Sequence, residues 1–183
     1  MRRLALFAAP LILLPCLRAS AEVPVAAAPR ATAIGACLPD HQAFLRATVR
    51  GALTADLDWR SDELQCDGST RPEGNGLRIS IAGPLAGPAG SATRRLRFVF
   101  GIDTSRGNRD LPTNLTVIVE GEGLLFATRG DVRCTIDQLH SDAGNTVGRL
   151  DARGFCTGPA LNVDGSQRLL LSSFDFSARL SQE

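Results

Sequence analysis

Few residue types in this chain could perform chemistry. It has 183 residues with two histidines and five cysteines, no tyrosine, and no lysine, so all 20 basic residues are arginine. Nucleophilic catalysis needs an activated Ser, Cys or Thr, a base, and a group that orients the base. No G-x-S-x-G occurs; His41 adjoins Asp40, and His140 lies in a turn-rich stretch with Asp137 and Asp142. Asp137, His140 and Asp142 offer oxygen and nitrogen ligands, but their spacing matches no established metal pattern, and they read as a solvated turn. The acidic group Asp56, Asp58, Asp62, Glu63 and Asp67 is denser. Carboxylates gathered near one loop suit calcium or an acid–base pair. No D-x-D/N-x-D/N-G run fixes their geometry, however, and Arg46 and Arg50 alongside favour a charge-balanced solvent face. Arg78, Arg95 and Arg97 should point to one side if segments 77–83 and 94–102 pair as a hairpin, and together with Arg94 they could form a patch. They are then the best surface candidate for an anionic ligand.

The cysteines read as crosslinks. Arg2 and Arg3 precede a 14-residue apolar stretch, Leu4–Leu17, followed by Arg18 and the small-x-small run Ala19-Ser20-Ala21. That stretch is shorter than the ~20 residues a transmembrane helix requires, and Pro10 and Pro15 interrupt it. The pattern predicts a cleaved secretory signal over 1–21 and a secreted or periplasmic destination. Pro15 before Cys16 argues against a lipoprotein, because the residue before a lipidated cysteine is normally small. Cys37, Cys66, Cys134 and Cys156 then remain, an even number in an oxidising compartment, where disulfides form. Cys134 and Cys156 are symmetric about Asn145 in a stretch with turn signals, which predicts a cross-strand bridge between them. Cys37–Cys66 follows by elimination. The closest two of the four are 22 residues apart, which excludes a C-x-x-C redox motif and a short-spaced zinc site.

Removing 1–21 takes three arginines and no acid, leaving 17 Arg against 19 acids, a net of −2. Near-neutral charge supplies no field for nucleic acid or an anionic membrane. Lys and Tyr have AT-rich codons, so their absence points to a GC-rich, bacterial coding sequence. The lack of Tyr, with the single Trp and at least five of the seven mature Phe on core phases, argues against an aromatic platform for sugars and against stacked nucleic-acid bases.

The elements that must position these residues are strands. Segment 22–36 is Ala- and Pro-rich and reads as a flexible leader, with a single domain over 37–183. From Leu45 to Trp59 the odd positions are mostly apolar and the even ones mostly polar, predicting one long strand bent at Gly51. Alternation recurs at 77–83 and 94–102; the strands NLTVIVEG and GLLFATR follow, and the run QRLLLSSFDFSARL closes the chain with Phe174, Phe176, Ala178 and Leu180 on one face. In the hairpin around Gly121-Glu122, Val119 should face Leu124, Val117 should face Phe126 and Ile118 should face Leu125. Both faces are apolar, which predicts cover on both sides. The sum is an all-β domain of about nine to ten strands, an antiparallel β-sandwich or closed barrel with two disulfides and no long helix after the signal peptide. No cofactor or metal ligand set is identified. The functional expectation is an exported, non-catalytic binding or structural module of the cell envelope or extracellular space. The alternatives are a secreted hydrolase using surface carboxylates, or an inhibitor of a secreted enzyme presenting the loop GPLAGPAGSA or TSRGNRDLP.

Overall fold

A computed structural model describes residues 37–38, 40, 42–71, 75–86, 94–130, 134–142 and 147–181; the expected signal 1–21, the leader 22–36 and His41 lie outside the described residues. Eleven strands and no helix are found among the described residues: β1 (Phe44–Gly51), β2 (Ala55–Arg60), β3 (Gln65–Thr70), β4 (Gly76–Leu85), β5 (Arg94–Asp103), β6 (Leu111–Glu120), β7 (Leu124–Ala127), β8 (Cys134–Asp142), β9 (Val147–Cys156), β10 (Ala160–Asn162) and β11 (Arg168–Ser181). Every ladder is antiparallel except a single bridge between Ser69 of β3 and Ser181 of β11.

The run expected as one strand over 45–59 is a hairpin. Gly51 takes φ +112°, the chain turns through 52–54, and β2 returns along β1 with Leu45 opposite Trp59, Ala47 opposite Leu57 and Val49 opposite Ala55. Odd residues pair with odd residues, so the apolar phase passes through the turn unchanged. Alternation alone cannot register that reversal.

The strand order is β10-β7-β6-β5-β4-β3-β11-β1-β2, with β8 bridging β6 to β9, and β9 and β10 both reaching β11. The branching at β6 and β11 fits a sandwich in which long strands serve both layers, better than a simple closed barrel. Inward side chains form the core, including the fully buried Phe98, Phe100, Phe126, Phe174 and Phe176. Phe100 packs with its ring centroid 4.9 Å from both Phe174 and Phe176, and Trp59 lies 5.8 Å from Phe98. Each such side chain contributes about 1.5–3 kcal/mol by burial, and each ring pair about 0.5–1.5 kcal/mol more.

Two bulges switch the inward phase. In β11 the partner of Thr48 is Ser173 but that of Val49 is Leu171, leaving Ser172 as the extra residue. Its hydroxyl donates to the Thr48 carbonyl at 3.3 Å. Leu169 and Leu171 point inward before it; Phe174, Phe176, Ala178 and Leu180 point inward after it. In β8 the extra residue is Asp137, between Ile136 opposite Gly154 and Gln138 opposite Arg153.

Both disulfides have the expected pairing, Cys37–Cys66 and Cys134–Cys156, the latter between directly opposed residues of β8 and β9. The β6–β7 register is also as expected. Its outward residues Ile118 and Leu125 are only half-buried, so that hairpin is not covered on both sides.

Gly83 lies under the Trp59 indole, and an added Cβ would come within 2.8 Å of Cε2 and closer to other ring atoms. Gly83→Ala is therefore expected to destabilise the fold by about 1–3 kcal/mol, measured by urea denaturation followed through Trp59 fluorescence. Replacing Cys134 and Cys156 together by Ala should cost about 3 kcal/mol by the same assay.

Candidate functional site

Arg78, Arg95 and Arg97 share one face of the β4–β5 hairpin, whereas Arg94, opposite the buried Leu85, falls on the other phase; each of the four meets a carboxylate. Arg97 donates from Nε to Glu120 Oε1 at 2.7 Å and from Nη1 to the buried Ser80 hydroxyl at 2.9 Å. Arg95 Nε lies 3.4 Å from the other oxygen of Glu120. Arg94 donates from Nη2 to Glu122 at 2.8 Å. Arg78 stands opposite Gly101, four residues along β4 from Ala82, the partner of Arg97. That is about 13 Å at strand rise, and Arg78 Nη1 faces Asp67 at 3.7 Å. The group is an ion-pair network strung along the sheet.

The acidic group behaves alike. Asp56 accepts two hydrogen bonds from Arg50 Nη2, at 2.8 and 3.1 Å. Asp58 lies 3.4 Å from Arg46 and 3.0 Å from Arg60, and Glu63 accepts from the Arg60 backbone N–H. Asp62 is exposed on the turn between β2 and β3. His140 Nε2 lies 3.2 Å from Asp142, while Asp137 is drawn away into the β8 bulge. No group of three His, Cys, Asp or Glu is placed to hold a metal ion among the described residues. No helix among them is long and apolar enough to cross a membrane.

A different surface gathers charges that make no ion pair among the described residues. The outward faces of β2, β1, β11, β9 and β8 align Asp58, Arg46, Asp175, Arg153 and Gln138 in one cross-strand row. Two adjoining open clefts lie along it, of about 380 and 370 Å³, and both are lined by Arg153 and Asp175. The first adds Asp56, Asp137 and Phe155; the second adds Asn108, Arg109 and Gln138. Among the described residues, Arg109, Asp137, Arg153 and Asp175 make no ion pair, although Asp175 stands opposite both Arg46 and Arg153 in register. Both bulges border this groove, since Asp137 and Ser173 line its first part; bulges re-aim side chains and concentrate beside functional sites. The loop before β6 supplies Asn108 and Arg109 and is tied down by a 2.9 Å bond from the Leu139 N–H to the Asn108 carbonyl.

Sequence reasoning singled out neither Arg153, Asp175 nor Phe155. The signal was the outward phase of β9, Arg149, Asp151, Arg153 and Phe155, where a Phe on a charged phase is 38% exposed.

In comparison with known proteins, no family model matches the chain, and no curated protein and no solved structure is significantly similar to it.

Two turns carry carboxylates held below the usual aspartate range. Asp103 accepts hydrogen bonds from the side chain and N–H of Ser105, with Arg106 and Arg71 adding to the effect, and Asp164 accepts the same pair from Ser166. A depressed folded pKa contributes stability above the unfolded value that is lost as pH falls through the folded one. Both carboxyl carbons should therefore titrate below ordinary aspartate in an NMR pH series. Arg97→Ala should cost about 1–2 kcal/mol in denaturant unfolding. Arg78→Ala, at an exposed pair, should cost about 0.5 kcal/mol or less.

Proposed function

We propose that this chain is an exported, non-catalytic β-domain of the cell envelope or extracellular space, and that it binds its ligand in the groove across β2, β1, β11, β9 and β8. The observation that carries the reading is the convergence of Arg109, Asp137, Arg153 and Asp175, which make no ion pair among the described residues, on two joined clefts. Elsewhere some arginines and acids pair, as at Arg97–Glu120 and Arg50–Asp56, while Arg168, Arg179 and Asp110 also make no ion pair among the described residues, so it is the gathering of such groups on joined clefts that supports the reading. Export is supported by the n-region, short apolar stretch and small-x-small run of 1–21, together with two disulfides that belong to an oxidising compartment. A hydrolase built on Asp56 and Asp58 is disfavoured because both carboxylates are engaged by guanidinium groups, Asp56 by Arg50 and Asp58 by Arg46 and Arg60. The inhibitor reading retains one supporting feature, the 104–110 loop tethered to β8.

Thermal melting in calcium and in EDTA separates these readings. The binding module should melt at the same temperature in both. A calcium-dependent rise of several degrees, abolished by Asp56→Asn, would favour the hydrolase. For the export reading, the full chain expressed in a bacterium should appear outside the cytosol, with Cys37, Cys66, Cys134 and Cys156 alkylated only after reduction. Free alkylation of all four in cytosolic protein would contradict it.

A further inference from the structure

We infer that the groove holds a neutral oligosaccharide chain lying across the strands, recognised through its hydroxyls by Arg153, Asp175, Asp137 and Gln138. This rests on the ligand-binding reading above and names the class of ligand.

The charge arrangement selects the class. The groups that make no ion pair among the described residues here are two guanidiniums, Arg109 and Arg153, and two carboxylates, Asp137 and Asp175, interleaved along the same clefts. An anion drawn to Arg153 meets Asp175 directly opposite it in register, and a cation drawn to Asp175 meets Arg153 and Arg46. Neither sign is favoured. A hydroxyl both donates and accepts, and vicinal hydroxyls need an acceptor beside a donor. A carboxylate next to a guanidinium, continued by the Gln138 amide, meets that need. Asp175 is half-buried and makes no ion pair among the described residues, so its carboxylate is open to a donor from a ligand.

Geometry sets the length. The row from Asp58 to Gln138 crosses five strands, or four interstrand spacings, about 19 Å. A single sugar ring occupies a fraction of that span, and a chain of several units fills it. Phe155 gives one apolar surface at the rim of the first cleft for the C–H face of a sugar. One ring is no stacking platform. Recognition here is by hydrogen bonds, which is compatible with a chain that has no Tyr and whose single Trp, Trp59, is buried.

The test is a titration of isotope-labelled, disulfide-bonded protein with neutral hexasaccharides of β-1,4-glucose, α-1,4-glucose and β-1,4-N-acetylglucosamine. Hexagalacturonate and hexalysine serve as charged comparators, and the Arg153 Nε–H, Gln138 side-chain and Phe155 ring signals are followed by NMR. At least one neutral hexamer should shift all three. Arg153→Ala and Asp175→Asn should each weaken that response at least tenfold with the amide spectrum still dispersed, whereas Arg78→Ala should leave it unchanged. Response to the charged oligomers alone would overturn the oligosaccharide class while leaving a binding groove. Silence from every probe would overturn the class as well. Shortening of a hexamer during the titration would instead overturn the non-catalytic reading on which the inference rests.

Discussion

The extra residue at Ser172 decides which side of β11 meets the core. Before it, Leu169 and Leu171 point inward; after it, Phe174 and Phe176 take over on the opposite parity. Without that insertion the inward phase set by the leucines would continue through Ser173, Asp175 and Ser177, burying a carboxylate and exposing two phenylalanines. Burying an unpaired charge costs several kcal/mol, and exposing a Phe forfeits about 1.5–3 kcal/mol each. The bulge avoids both. It lets Phe174 and Phe176 close on Phe100, and it delivers Asp175 to the outer surface between Arg46 and Arg153.

Core and groove are thus two faces of one strand. β11 is contacted by β1, β9, β10 and β3, so its register is fixed from both edges. β8 repeats the device on a smaller scale: its bulge at Asp137 turns that carboxylate toward the same groove, and the Cys134–Cys156 bridge pins the ladder close by. Rigid support of this kind matters for a site built from single hydrogen-bonding groups, where displacements of a few tenths of an ångström weaken recognition.

Much of the architecture is legible in the residues. Alternating apolar runs reveal an all-β chain; the symmetry of Cys134 and Cys156 about a turn reveals their bridge; Gly121-Glu122 fixes the β6–β7 register. What eludes the pattern has a common origin in parity. A turn that joins odd residues to odd residues hides the β1–β2 reversal, and a one-residue bulge changes phase inside a strand with no sign in composition. The groove was hidden for that reason, since its members come from β8, β9 and β11 and are brought into one row only by two phase changes. Arg78, Arg95 and Arg97 were visible because regular alternation does place them on one face. Their carboxylate partners, Glu120, Glu122 and Asp67, come from sequence-distant positions.

Arg153 and Asp175, though opposed in register, are not committed to each other. A double-mutant cycle on Arg153→Ala and Asp175→Ala, read by urea unfolding, measures that commitment directly. A coupling within about 0.3 kcal/mol of zero is predicted, beside a coupling of about 1 kcal/mol or more for Arg97 with Glu120. A coupling of about 1 kcal/mol or more between Arg153 and Asp175 would make them an ordinary structural ion pair, and the groove would lose the groups on which its function is argued.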